Sequence, residues 1–174
     1  MKKVTFIFMT LFLSLSAHAQ IMNGSVCGIK FGTSREQARA ILEERFGKYK
    51  VRDFEGDLMV IDGRVGGITY EFLEFYFAWV DGVPAFNGAR FSTPFELNKQ
   101  KDALEFREYI KGIYSAKYDI RNLATDTGFK SYVFLANNTV CGSIEAYKDT
   151  SKDGKRRIYV EVNYFGPYST ADDI

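Results

Sequence analysis

The 174-residue chain holds a single histidine, His18, and only two cysteines, Cys27 and Cys141. Imidazole is the usual general base near neutral pH and the usual partner of a nucleophilic Ser or Cys. His18 itself lies in a leader-like segment. Lys2 and Lys3 precede an apolar stretch from Val4 to Leu15, and Ala17-His18-Ala19 has the small-x-small pattern of a secretory cleavage site before Gln20. The expected cut after Ala19 makes residues 1–19 a signal peptide and leaves a mature protein without imidazole, which excludes Ser-His-Asp and Cys-His catalysis. Two distant thiols alone cannot supply the three or four nitrogen or sulfur ligands of a zinc site. No catalytic residue, metal or cofactor is expected.

Other absences narrow the class further. After the leader, the longest apolar run, Phe72 to Val80, is interrupted by Glu74 and falls far short of the roughly 20 residues of a helical membrane span. Without Lys2 and Lys3 the 23 basic residues fall to 21, against 22 acidic, a net of −1. There is no basic excess to favour nucleic acid or anionic lipid. No glycine-rich phosphate cradle follows a strand and opens a helix, so nucleotide binding has no support. No lipidatable cysteine stands at the cut, where Gln20 follows, and Gly24-Ser25-Val26 before Cys27 lacks the order of a lipobox. The expectation is a periplasmic or secreted protein that is not lipidated. In an oxidising compartment Cys27 and Cys141 are expected to form a disulfide, worth about 4–5 kcal/mol through chain entropy for so long a loop. The alternative is a pair of thiols.

What the chain does contain is organised by a short repeat. Gly47-Lys48-Tyr49-Lys50-Val51-Arg52-Asp53-Phe54 overlays Ala116-Lys117-Tyr118-Asp119-Ile120-Arg121-Asn122-Leu123 at an offset of 69, from Gly47 to Ala116. Each copy follows a helical pattern. Thr33-Ser34-Arg35-Glu36 reads as a capping box opening a helix with the stripe Ala38, Ile41, Leu42 and Phe46, closed by Gly47. A second helix is predicted from Asn98 or Lys99 to about Ser115, with Ala103, Phe106, Ile110, Ile113 and Tyr114 on one face and a weak point at Gly112. Period-two segments suggest strands near 48–54, 57–61, 66–79 and 84–92, then 117–123, 129–136, 140–148 and 157–165, with Asp62-Gly63 and Asp153-Gly154 as turns. The reading is α+β, with two similar halves at 20–92 and 93–174. Each half is one helix followed by an antiparallel sheet of about four strands, the two being separate or one continuous domain.

The segment Gly28-Ile29-Lys30-Phe31-Gly32-Thr33-Ser34-Arg35-Glu36, followed by the Ala38 to Phe46 stripe, resembles the opening of two groups of small exported modules. These are the β-lactamase-inhibitor-protein-like fold and the outer-membrane assembly lipoproteins of the SmpA/OmlA family. The resemblance covers about twenty residues and, beyond them, topology only. It implies a non-catalytic module that binds another protein, and it carries over no individual residue.

Candidate sites are few. Asp149-Thr150-Ser151-Lys152-Asp153-Gly154 begins like a calcium loop, but its twelfth position is Val160 in place of a bidentate Glu and its eighth is Arg156. A solvated hairpin turn is the better reading. Glu145 and Glu161 fall mid-strand opposite Ile144, Ala146, Val160 and Val162 in parity, with Ser143, Tyr147, Tyr159 and Asn163 as neighbours on the exposed side. Glu71 and Glu74 fall on opposite faces by alternation. The strand through Tyr70, Phe72, Leu73, Phe75, Tyr76, Phe77 and Trp79 is apolar on both faces, so its second face needs a cover, from the chain itself or from a partner. Together these point to a non-enzymatic module that recognises a protein or cell-envelope component through an open sheet face. Tyr147, Tyr159, Glu145, Glu161 and Asn163 are its binding residues. The alternatives are a carboxylate-dependent glycan hydrolase built on Glu145 and Glu161, or a carrier of a small apolar ligand.

Overall fold

In the computed structural model, residues 24–123, 128–151 and 153–167 are described. The signal-peptide reading falls outside them. A two-stranded hairpin, β1 (Ser25–Val26) and β2 (Ile29–Lys30), leads into helix α1 (Arg35–Phe46). Four strands follow: β3 (Val51–Phe54), β4 (Asp57–Val65), β5 (Ile68–Val80) and β6 (Val83–Glu96). Helix α2 (Gln100–Ser115) then precedes β7 (Asp119–Leu123), β8 (Ser131–Ala136), β9 (Thr139–Thr150) and β10 (Arg156–Phe165).

The expectation of two similar halves with a sheet each is corrected here. Strands β3 to β10 form one antiparallel sheet of eight in the order β3-β4-β5-β6-β10-β9-β8-β7. Its seam is β6 against β10, in register from Arg157 opposite Glu96 to Phe165 opposite Gly88. Two separate sheets would each leave a long last strand with unpaired N–H and C=O groups, and pairing these strands with each other removes both edges. The short strands β3 and β7, in which the repeated Lys-Tyr-x-[Val/Ile]-Arg pattern ends, become the two outer edges. Their surroundings differ. Tyr49 is 80% exposed, whereas Tyr118 stacks on Tyr114 and packs against Phe134.

Both helices lie on one face of this sheet. Ser34 caps α1, its hydroxyl accepting from the Gln37 amide at 3.4 Å, so the cap is Ser34, one residue later than Thr33. Ala38 and Leu42 of α1 are fully buried, and Arg35 and Arg39 both bond Asp53, which ties the helix to edge strand β3. Helix α2 buries Ala103, Ile110 and Tyr114, and its Arg107 donates to the Lys130 carbonyl at 2.6 Å. A single core joins both helices to Leu58, Val60, Leu73, Phe75, Phe86, Phe91, Phe134, Ile144, Ala146, Ile158, Val160 and Val162. The Tyr114 and Tyr164 hydroxyls hydrogen-bond each other within it, so two buried phenols satisfy one another.

One turn lies elsewhere than expected. Asp62-Gly63 sits inside β4, and the β4–β5 hairpin turns on Gly66-Gly67, both at positive φ, as do Asp81-Gly82 and Asn137-Asn138 in later hairpins. Asp62, at φ 50°, leaves the extended region mid-strand. On β4 the buried set therefore shifts from Leu58 and Val60 to Gly63, and on β5 from Tyr70 to Leu73. Gly63 is required because a β-carbon there would lie 2.3 Å from the Leu73 side chain.

Candidate functional site

With the helices on one face, the described residues leave the other face of the sheet open, and strand parity decides what it shows. Ile144, Ala146, Ile158 and Val160 point into the core and are fully buried. The intervening residues form cross-strand rows on the open face: Glu74, Arg90, Asn163 and Ser143; then Phe72, Ser92, Glu161 and Glu145; then Pro94, Tyr159 and Tyr147. All five predicted binding residues thus lie together on one face of adjacent strands β9 and β10.

Ring stacking and hydrogen bonds tie them into two neighbouring groups. Tyr147 and Tyr159 stack with ring centroids 5.7 Å apart, and the Tyr147 hydroxyl donates to Glu161 Oε1 at 2.7 Å. Ser143 Oγ donates to Glu145, and Asn163 Nδ2 donates to Ser143 Oγ at 3.2 Å and to Glu145 Oε1 at 3.4 Å. Beside them stands a group that inspection of the sequence missed. Arg90 on β6 donates through Nε to Glu74 Oε2 at 2.8 Å and lies 3.8 Å from Glu161 Oε1. Tyr76 also donates to Glu74 Oε2, at 2.6 Å. Arg90 thus bridges two buried carboxylates on either side of the seam, and only the β6–β10 pairing brings them together. Its signal in the sequence is an arginine flanked by Ala89 and Phe91 within a strand, which becomes informative once the neighbouring strand is known.

Burial pushes the Glu161 carboxyl up to about 7; Arg90 and the Tyr147 hydrogen bond pull it back, while Glu74 and Glu145 push it further. Glu145 and Glu161 are direct cross-strand partners, side by side on the sheet. Glycoside hydrolysis needs two carboxyls flanking the scissile bond. Here Glu145 is engaged by Ser143 and Asn163, and Glu161 by Tyr147.

Above this floor runs a trough of about 760 Å³, from Phe54 and Met59 at one end to the β9–β10 hairpin at the other. The parity shift at Asp62 places Glu71, Phe72 and Glu74 all in its lining, although simple alternation separates Glu71 from Glu74. A second hollow of about 470 Å³ adjoins it and shares Arg90, Tyr147 and Glu161 with it. The half-buried ring of Phe72 forms part of the floor; among the described residues nothing covers it completely.

The cysteines lie apart from this face, whereas the acidic loop closes one end of the trough. Cys27 and Cys141 are both free thiols in this structure, so the expected bridge is not formed here. Cys27 occupies the β1–β2 turn at φ 56°, and burial pushes its thiol up to about 12. Cys141 is the extra residue of a β-bulge between β8 and β9, where Phe134 pairs with Gly142 and Leu135 with Val140. In the Asp149 to Gly154 segment, Asp153 accepts from Ser151 and from Arg157, so its carboxylate is occupied by the hairpin itself. Among the described residues no helix is long and apolar enough to cross a membrane. Compared with protein-family models, with curated proteins and with solved structures, the chain matches none.

Proposed function

We propose that this chain is an exported, non-enzymatic binding module that recognises a protein or cell-envelope component through the open face of its sheet. One observation carries the reading: both helices pack on the opposite face, while the open face holds a continuous trough floored by Phe72 and the stacked Tyr147 and Tyr159. Half-exposed, stacked tyrosines supply large rigid contact area at little entropic cost, which suits an interface centre. The resemblance at Gly28 to Glu36 points the same way.

Replacing Tyr147 and Tyr159 together by Ala is expected to weaken capture of a partner from the envelope fraction by roughly 2 kcal/mol or more. The thermal midpoint should change little, because neither ring belongs to the core. Tyr147→Phe separates the two roles of that side chain, since it removes the hydroxyl given to Glu161 and keeps the ring. Unfolding of Tyr159→Ala would place the stack in the fold, and stable variants with undiminished capture would move the binding surface elsewhere.

A further inference from the structure

The lining of the trough selects a partner by charge. Among the described residues, Glu71, Glu74, Glu96, Asp149, Asp153 and Glu161 line it, against Arg90 and Arg157. Both arginines are engaged, Arg90 by Glu74 and Arg157 by Asp153. Two ion pairs therefore leave the carboxylates in excess, and three of these, Glu71, Glu96 and Asp149, are exposed residues at its rim. The floor between them is aromatic, with Phe72, Tyr147 and Tyr159. Aromatic faces beside carboxylates favour ammonium and guanidinium groups, through the ring quadrupole and through direct ion pairing.

We propose that the occupant of the trough is a segment of a partner protein presenting lysine and arginine side chains. The inference rests on the open-face reading above and names the chemistry of its partner. A second copy of this chain meeting face to face would bring one acidic trough against another, and like charges across an interface are costly. The chain's own segment after Pro167, Tyr168-Ser-Thr-Ala-Asp-Asp-Ile174, adds Asp172 and Asp173 and no cation, so it shares the sign of the trough. A peptide is favoured over a small amine by extent, since the trough crosses the sheet from Phe54 on β3 to Asp149 on β9.

The test uses the secreted protein and two fluorescein-labelled octapeptides of identical length, alternating Ala-Lys and alternating Ala-Gln, followed by anisotropy. The Lys peptide is expected to bind at 50 mM salt and to lose at least tenfold in affinity at 500 mM, where surface charges are screened over a few ångströms. The triple variant Glu71→Gln, Glu96→Gln, Asp149→Asn changes only exposed rim positions, and it should weaken the Lys peptide at least tenfold with an unchanged thermal midpoint. Equal binding of the Gln peptide would overturn the charge selection while leaving the open face as a binding surface. Failure of the Lys peptide to bind would overturn the inference alone, if loss of Tyr147 and Tyr159 still weakens envelope capture. Competition by spermine at the same concentration as the peptide would move the site to free amines. Lys-peptide binding that survives both the rim variant and the double tyrosine variant would overturn the inference, and the open-face reading falls with it only if the double tyrosine variant also retains full envelope capture.

Discussion

Glu161 is 5% exposed, yet it sits on the floor of an open face with Glu145 opposite and Glu74 beyond Arg90. Burial is the main reason its carboxyl is raised to about 7. A carboxyl in the unfolded chain titrates near 4.3, so between those values the folded state holds a proton that the unfolded state has released. Its contribution to stability is therefore fully present below about pH 4 and lost as pH rises through about 7. The gap corresponds to about 3–4 kcal/mol. Glu161→Gln keeps an acceptor for the Tyr147 hydroxyl and removes the titration. Relative to that variant, the wild-type protein is expected to lose about 3–4 kcal/mol of unfolding free energy between pH 4 and pH 8, measured by urea denaturation. Parallel stability curves for the two proteins would show that the Glu161 carboxyl titrates alike in the folded and unfolded states.

At the scale of elements, alternation and helical stripes were readable along most of the chain, because each strand buries one face and each helix one stripe. The departures occur where the backbone breaks period. At Asp62 a positive φ turns both β4 and β5 over, and neither the Asp62-Gly63 dipeptide nor the alternation distinguishes such a kink from a turn. At Cys141 a bulge does the same to β9. Next to that bulge, Gly142 lies so close to its neighbours that a β-carbon would meet the Asn163 carbonyl oxygen at 1.9 Å and the Phe134 ring at 2.3 Å. Gly142→Ala must push β10 or a core ring aside and is expected to cost about 1–3 kcal/mol or more. Gly112 in α2 is the opposite case, because its added carbon would meet nothing within 4 Å. Gly112→Ala is expected to stabilise by about 0.5–1 kcal/mol. Denaturant midpoints of the two variants should move in opposite directions, and a neutral Gly142→Ala would mean that the β9–β10 contact yields easily.

For the molecule as a whole, the β6–β10 seam decides whether the two runs of strands are independent. A chain ending at Leu97 would keep α1 and β1 to β6 but leave the long strand β6 without its partner. Such an edge invites pairing with another copy, so the fragment is expected to self-associate, as read by light scattering. A monomeric fragment with a native-like strand signal would show that the first run folds alone. Composition and pattern by themselves determined the helix stripes, the positions of most strands, the parity that brings Tyr147, Tyr159, Glu145, Glu161 and Asn163 to one face, and the poverty of imidazole. These depend on neighbours a few residues away. Tertiary structure decided that all eight strands form one sheet, that Arg90 meets Glu74 and Glu161, and that Glu71 joins Glu74 in the trough. Those outcomes depend on which strand edges pair and where the backbone leaves the extended region, and pairing between strands some seventy residues apart, such as Ser92 opposite Glu161, leaves no periodic trace along the chain.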